Sequence, residues 1–140
     1  MPTATKEVPI SLRLTRLEAE ELSAVARLRG EKPAALVARY VTEGVRRSRF
    51  PAIELRDGEP GRVAYLAGTR WPVWMIVELL NHCAGNVESA AKQMRRPVAL
   101  VRMALTYAEQ YPEEVAASRK LHAERDFDGL KRVLPTLERL

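Results

Sequence analysis

The side chains that most often bind metals or carry out acid–base catalysis are scarce in this chain. It has two histidines, His82 and His122, and one cysteine, Cys83. His82 and Cys83 are adjacent, so on a helix their side chains point about 100° apart and cannot bind one metal ion together. No HExxH, CxxC or GxSxG motif and no glycine-rich phosphate loop occurs. We therefore predict no catalytic residues, no metal site and no cofactor, and a protein that is not an enzyme.

A different chemistry, hydrogen bonding to nucleic acid, is indicated by polar residues near the N-terminus. Apolar Val8, Ile10, Leu12 and Leu14 alternate there with Pro9, Ser11, Arg13 and Thr15. This period of two predicts a strand with one apolar and one polar face. The forked guanidinium of an arginine on such a polar face is well suited to guanine. The alternative is a strand that serves only for dimerisation, with Arg13 as a solvated charge.

Positive charge is concentrated in the same part of the chain. The 140 residues carry a net charge of +5, and the sequence pI is about 9.7. Residues 1–50 hold ten Lys and Arg against six Asp and Glu, residues 51–112 hold seven against six, and residues 113–140 hold six of each. Such a bias favours a polyanionic partner such as nucleic acid.

The hydropathy pattern and the single cysteine indicate a compartment. No stretch approaches the ~20 apolar residues that a membrane helix needs. Residues 1–14 lack the basic segment and hydrophobic run of a secretory signal. One cysteine cannot form an internal disulfide, which fits a reducing environment. We expect a cytoplasmic protein without a membrane partner.

Two helices should follow the predicted strand. Thr15 and Glu18 have the spacing of a capping box, and Gly30 is placed to end the first helix. Pro33 suits the first position of a second helix, which runs to a cluster of three arginines. The apolar stripes of the two helices are Ala19, Leu22, Val25 and Ala26, and Leu36, Val37, Tyr40, Val41 and Val45.

One strand and two short helices bury too little surface in about 45 residues to fold alone. A single strand is also an unpaired edge. Both problems are removed if two copies pair their strands antiparallel and interlock their four helices. The polar strand faces then form a two-stranded ribbon of a width that enters the DNA major groove.

Residues 10–41, ISLRLTRLEAEELSAVARLRGEKPAALVARYV, resemble the ribbon-helix-helix repressors of the CopG, Arc and MetJ type. The resemblance implies that base edges are read by Ser11, Arg13 and Thr15, unless Thr15 is used as the helix cap. It also implies that phosphate is bound at the start of the second helix, by Lys32, Pro33 and Ala34. A helix N-terminus attracts anions. Here a lysine replaces the usual hydroxyl cap and the proline has no N–H, so phosphate binding is expected to depend on the lysine side chain.

The middle of the chain, residues 51–112, is predicted to be a small helical domain with a short β element. Glycine and proline mark residues 51–62 as a connector, in which Asp57-Gly58 is a turn pair. A strand at Val63–Leu66 and a turn at Gly68–Arg70 come next. Helices are expected at Val73–His82, Val87–Met94 and Val98–Gln110.

The last two of these helices have the rhythm of a helix-turn-helix, in which Ala90 and Ala91 precede a turn and an inward Val101. The candidates for DNA contact in this part of the chain are Arg95, Arg96 and Arg102. The first of these arginines stands where glycine is often found. A helical packing domain without DNA contacts is an equal alternative.

Residues 61–80, GRVAYLAGTRWPVWMIVELL, are similar to a family of short prokaryotic proteins with a G-T-R-x-x-V-W signature before a helix-turn-helix. The signature residues here are Gly68, Thr69, Arg70, Val73 and Trp74. Some members are VapB-type antitoxins encoded beside PIN-domain ribonucleases. The resemblance therefore implies a PIN-type ribonuclease toxin as a candidate partner.

Residues 113–140 form a charged segment whose helical pattern is interrupted by Gly129 and Pro135. An apolar stripe runs along it, and two arginines are placed to reach a carboxylate cluster of a metal-dependent nuclease. The candidate partner-binding residues are Arg125, Leu130, Arg132, Val133, Leu134 and Leu137. The alternative is that this stripe packs against the protein's own core.

These patterns together predict a mainly α-helical protein with a short intermolecular β-ribbon. It comprises a ribbon-helix-helix dimer at residues 1–50, a small helix-turn-helix-like domain at 51–112 and a charged helical tail at 113–140. The predicted function is sequence-specific repression of transcription on double-stranded DNA by a homodimer or higher oligomer, with an autoregulating type II antitoxin as the leading form. The alternatives are a stand-alone DNA-binding regulator or architectural protein without a toxin, and an interaction protein whose N-terminus only pairs subunits.

Overall fold

A computed structural model describes residues 7–58 and 61–133 of the chain, without the side chains of residues 125–133. This part of the chain is mainly α-helical, as predicted, and it contains one two-stranded antiparallel sheet, which is an intramolecular hairpin and not the predicted intermolecular ribbon. The chain divides into two compact units, residues 1–42 and 43–140. The elements in chain order are α1 Arg16–Arg29, α2 Pro33–Arg49, β1 Ile53–Gly58, β2 Gly61–Leu66, α3 Val73–His82, α4 Val87–Met94, α5 Val98–Gln110 and α6 Pro112–Val133.

Helix α1 begins and ends where its capping residues predict. The hydroxyl of Thr15 accepts a hydrogen bond from the Glu18 backbone N–H at 3.2 Å, and the Glu18 carboxylate accepts one from the Thr15 N–H at 2.9 Å. The helix ends at Gly30, whose φ of +67° lies in the left-handed region that favours glycine. The capping box and the glycine stop are both confirmed.

Residues 7–15 form neither a helix nor a strand in the single chain. A strand is defined by hydrogen bonds to a neighbouring strand, so the predicted ribbon requires a second copy and stays a prediction. The four apolar residues of the alternating pattern are all exposed in the single chain. Their exposed fractions are 77% for Val8, 83% for Ile10, 50% for Leu12 and 43% for Leu14.

Helix α2 begins at Pro33 and ends in the arginine cluster, as predicted. Leu36 on its apolar stripe is fully buried, whereas Tyr40, Val41 and Val45 on the same stripe remain exposed. The residues of α1 show the same division, because Ala26 is buried and Val25 is exposed. The single chain therefore covers only part of the apolar surface of these two helices.

The expectation that residues 51–62 form a connector is wrong, because β1 and β2 make a hairpin there. Ile53 pairs with Leu66, and Asp57 pairs with Arg62. Asp57-Gly58, expected as the turn, therefore forms the last two residues of β1. Pairing with β2 and the burial of Ile53 outweigh the local turn preference. A Cβ at Gly58 would come within 2.7 Å of the Val63 side chain, so the strand needs glycine at this point.

Helices α3, α4 and α5 have the predicted bounds, and they form the core of the second unit with the hairpin and the first part of α6. Helix α3 packs against α5, α6, α4 and β2. The prediction that Val101 points inward is confirmed. The largest fully buried side chains of this unit are Leu66, Val73, Ile76, Val101 and Tyr107.

Helix α6 is longer than its sequence pattern indicates. It continues through Gly129, where an interruption was expected, and Pro135 lies outside the described residues. A glycine inside a helix costs about 1 kcal/mol, which the flanking turns of a 22-residue helix tolerate. The start of α6 belongs to the core, because Val115 is buried there. The expected domain boundaries at residues 50 and 112 stay predictions. None of the helices in the described part of the chain combines the length and apolar character needed to cross a membrane.

A partly buried polar cluster joins the last turn of α2 to α5 and α6. The Tyr107 hydroxyl donates to the Glu114 carboxylate at 2.8 Å and accepts from the Arg46 guanidinium at 3.1 Å. Arg46 also pairs with Glu114 at 2.6 Å, and its guanidinium lies 4.0 Å from the ring centre of Tyr111. Burial, together with the hydrogen bond to the Glu114 carboxylate, raises the pKa of the Tyr107 hydroxyl.

We expect Tyr107→Phe to lower the free energy of unfolding by about 1–2 kcal/mol at neutral pH, since Glu114 and Arg46 lose a buried partner. The pKa of Tyr107 is raised on folding, so its contribution is present below about pH 10 and is lost as pH rises further. Urea unfolding between about pH 7 and 11 should thus show a smaller alkaline loss in Tyr107→Phe than in the wild type. Tyr111→Phe is the control and should keep the wild-type slope. Equal alkaline slopes for Tyr107→Phe and the wild type would contradict the prediction.

Candidate nucleic-acid interface

The three residues predicted to read bases lie at exposed positions immediately before and at the cap of α1. The hydroxyl of Thr15 is occupied as the N-cap acceptor, which corresponds to the alternative role expected for it. Arg13 makes no hydrogen bond or ion pair with the residues that the structure describes. Of the three predicted base-reading side chains, Ser11 and Arg13 are therefore the two that remain available to a ligand.

The predicted phosphate-binding residues lie at the start of α2, and Lys32, Pro33 and Ala34 are all exposed. The first helical hydrogen bond runs from the Leu36 N–H to the Lys32 carbonyl at 3.1 Å. The N–H groups of the first turn lack intrahelical partners, and Lys32 has no side-chain oxygen with which to cap them. This end of the helix therefore presents donors and a positive charge together.

The carboxylate of Glu31, next to this helix start, is paired with two arginines of the first unit. Glu31 accepts a hydrogen bond from Arg39 at 2.7 Å and another from Arg29 at 3.2 Å. The hydrogen bond from Arg39 holds the pKa of the Glu31 carboxyl below its ordinary value. Glu31 thus remains ionised and paired with Arg39 and Arg29, and Lys32 makes no ion pair with the described residues.

In the second unit, Arg95 and Arg96 lie in the turn between α4 and α5. Both are exposed, and neither pairs with a carboxylate among the described residues. Arg95 has φ +56° and ψ +46°, a left-handed conformation that glycine adopts more readily. Arg102 differs, because it pairs with Glu88 at 3.1 Å. That pair is well exposed and contributes little, so Arg102 can exchange it for a phosphate at low cost.

The elements expected of a helix-turn-helix are present as a sequence of helices. The eight-residue α4, the turn at residues 95–97 and the thirteen-residue α5 follow one another, and Ala90, Ala91, Met94 and Val101 are buried. The same residues would also be buried in a helical packing domain that makes no DNA contacts. The element order therefore agrees with both alternatives for this unit, and contact between α5 and DNA stays a prediction.

Several other arginines are occupied by partners within the second unit. Arg46 belongs to the tyrosine cluster, and Arg49 donates to Gln110 at 2.8 Å. Arg62 forms ion pairs with Glu43 at 2.6 Å and with Asp57 at 2.8 Å. The sequence pattern did not distinguish these paired arginines from the available ones, because most of their partners are distant along the chain.

The predicted partner-binding residues are placed only in part. Arg125, Leu130, Arg132 and Val133 lie on α6, but their side chains are outside the described residues, as are Leu134 and Leu137 altogether. In the described part of the chain, no group of three or more His, Cys, Asp or Glu side chains is arranged to hold a metal ion.

We expect Arg95→Gly to raise the free energy of unfolding by up to about 1 kcal/mol, because glycine relieves the left-handed conformation. If the arginine side chain contacts phosphate, the same change reduces the salt dependence of DNA binding by about one unit of slope. Ala84→Gly is the matched control, since Ala84 has a φ of +54° and no charge. It should gain stability and leave the salt slope unchanged. If Arg95→Gly keeps the wild-type salt dependence of DNA binding, the alternative of a packing domain without DNA contacts is favoured.

Comparisons of this chain with models of protein families, with curated proteins and with solved structures give no match. The two resemblances described above therefore rest on the quoted residues, and the activities they imply are hypotheses for this chain.

Proposed function

We propose that this protein is a sequence-specific DNA-binding repressor that acts as a homodimer through a ribbon-helix-helix formed by two copies of its N-terminal unit. The observation that carries the proposal is the distribution of exposed apolar side chains. The large hydrophobic residues that remain exposed in the described part of the chain all lie between residues 8 and 45. They are Val8, Ile10, Leu12, Leu14, Leu17, Val25, Leu28, Tyr40, Val41 and Val45.

The exposed apolar surface is large for a unit as small as the N-terminal one. Among residues 7–42, Ala26 and Leu36 are the buried hydrophobic residues. Complete burial of one aliphatic side chain contributes about 1.5–3 kcal/mol, and exposed apolar clusters of this extent usually mark interfaces. A second copy covers the apolar strand face and both helices at once, which supports the antiparallel ribbon.

The polar face of that ribbon suits a DNA ligand. In an alternating strand, Ser11 and Arg13 point away from Ile10 and Leu12, so they lie on the outer face of the paired strands. Each copy then presents one unpaired guanidinium, whose two donors match O6 and N7 of guanine. Lys32 adds a second positive charge in each copy, at the start of α2.

The second unit supports DNA binding less specifically. Arg95 and Arg96 are exposed cations without carboxylate partners among the described residues, and they precede α5. We propose that they contact DNA phosphates. A unit that only packs or dimerises is the alternative.

The proposal is tested by selecting DNA duplexes from a random pool with the full chain and measuring affinity at several salt concentrations. We expect binding to one sequence that weakens steeply with salt, because phosphate contacts release counterions. Lys32→Ala should weaken binding to all duplexes about equally and reduce the salt slope by about one unit for each phosphate that the lysine neutralises. Lys120→Ala, an exposed lysine on α6, is the control. If no DNA duplex binds saturably at low salt, the repressor proposal is wrong. The alternative is then an interaction protein whose N-terminus only pairs subunits.

The antitoxin role is a further part of the proposal and rests on the resemblance carried by residues 68–74. The described part of α6 contributes to the second unit, because Val115 is buried and Arg119 forms an ion pair with Glu78. A toxin-binding segment is therefore proposed to begin after Glu124. Co-purification with a small acidic ribonuclease distinguishes an antitoxin from a stand-alone regulator or architectural protein.

A further inference from the structure

A groove of about 300 Å³ lies in the second unit, beside the turn that carries the Gly68-Thr69-Arg70 signature. Its volume is at the small end of the range for ligand sites, about 300–1,000 Å³. Three aromatic side chains and one arginine are among the described residues that line it. The lining residues that matter here are Tyr65, Arg70, Trp74, Leu121 and His122.

The turn that carries Arg70 is held in place by hydrogen bonds. The Thr69 hydroxyl donates to the Leu66 carbonyl at 2.7 Å and accepts from the Trp71 N–H at 3.0 Å. The Leu66 N–H also donates to the Trp71 carbonyl at 2.9 Å. Gly68 has a φ of +71°, which glycine adopts without strain. The backbone of Arg70 is therefore fixed at the edge of the groove.

The aromatic wall is also ordered by contacts. Trp74 and His122 pack with their ring centres 4.5 Å apart at an angle of 37°. Tyr65 is covered by the guanidinium of Arg56 at 4.5 Å, and Arg56 in turn donates to the Thr69 carbonyl at 2.8 Å. These contacts hold the rings in place, and because Tyr65 and Trp74 also line the groove, a planar group bound there can pack against them.

Arg70 differs from the arginines of the adjacent hairpin in its electrostatic environment. Arg56 pairs with Glu54 at 3.0 Å, and Arg62 pairs with both Glu43 and Asp57. Arg70 is exposed and makes no ion pair with the residues that the structure describes. Its charge is left for a ligand, and a guanidinium binds a carboxylate through two parallel hydrogen bonds.

We infer that this groove binds a small aromatic carboxylate, whose ring stacks against the Trp74 and Tyr65 side of the wall and whose carboxylate pairs with Arg70. The charge of Arg70 selects an anion, and the rings select a planar apolar body. This inference is independent of the proposed DNA binding, since it concerns side chains of the second unit that the repressor proposal does not use.

The experiment titrates the full chain with 2-naphthoate by isothermal titration calorimetry. We expect saturable binding of one molecule per chain, and binding about tenfold weaker or more for the neutral 2-naphthamide and for the Arg70→Gln variant. Arg27→Gln removes the same charge at an exposed site that does not line the groove and should bind 2-naphthoate like the wild type. Circular dichroism establishes that each variant keeps its fold, which is expected because both arginines are exposed.

Two results would overturn the inference. One is the absence of saturable heat with 2-naphthoate in the wild type. The other is equal affinity for 2-naphthoate in the wild type and Arg70→Gln, because the carboxylate would then be bound elsewhere. Loss of DNA binding in any variant has no bearing on these outcomes, so this test and the test of the repressor proposal fail separately.

Discussion

Replacing Leu12 with aspartate is expected to convert the proposed dimer into a monomer and to abolish detectable DNA binding. Leu12 is 50% exposed in the single chain, so the change costs the isolated chain little. In the ribbon it would place two carboxylates in an apolar interface between copies, where each unpaired charge costs several kcal/mol. Analytical ultracentrifugation and circular dichroism should then show a helical monomer for the variant, whereas a dimer is expected for the wild type.

Ser11→Asp is the matched control, because it introduces the same charge one residue away on the opposite strand face. It should remain dimeric, while its DNA affinity falls through repulsion from phosphate. A dimeric Leu12→Asp protein would show that residues 8–14 are not the paired strand. If Leu12→Asp and Ser11→Asp were both monomeric, the alternation would not define the buried face.

The second large effect is expected for Arg13→Ala. The variant should keep the dimer and lose about 1–3 kcal/mol of affinity for the selected DNA sequence, about 5- to 150-fold, because a bidentate contact with guanine is removed. Affinity for unrelated duplexes should change much less, so the ratio of specific to non-specific binding falls. Both affinities are measured by fluorescence anisotropy at one fixed salt concentration.

Arg27→Ala is the control for the loss of one positive charge, since Arg27 is an exposed arginine on α1 outside the predicted ribbon. It should weaken specific and non-specific binding to a similar, small degree. If Arg13→Ala keeps the wild-type ratio of specific to non-specific affinity, the ribbon does not read bases. It would then serve only as a dimerisation strand. Recognition would then have to come from another part of the chain.

The bounds of most helices could be predicted from the sequence because their signals are local. Thr15 and Glu18 satisfy the free N–H groups of one helix start, and Gly30 accepts the left-handed conformation of its end. Pro33 begins α2 for a similarly local reason. Each of these effects acts within four residues, so neighbouring residues in the sequence contain all the information required.

The hairpin was missed because its main determinant is pairing between strands. Asp57-Gly58 has a strong turn preference, but Ile53 and Leu55 alternate with polar residues, which is the pattern of a strand with one buried face. Choosing between the two patterns requires knowing that β2 lies alongside and that the Val63 side chain needs the space next to Gly58. The alternation was the available signal, and the turn pair outweighed it.

The sequence by itself determined the cap-to-cap extent of α1, α3, α4 and α5 and the alternating apolar and polar residues before α1. Only the tertiary structure decided which cations are paired, because Glu114 lies 68 residues from Arg46 and Glu43 lies 19 residues from Arg62 along the chain. It likewise placed Arg70 and His122 at one groove, and it showed that most of the large apolar side chains of residues 8–45 remain exposed in the single chain. Local capping energies act between neighbours in sequence, whereas burial and ion pairing act between neighbours in space.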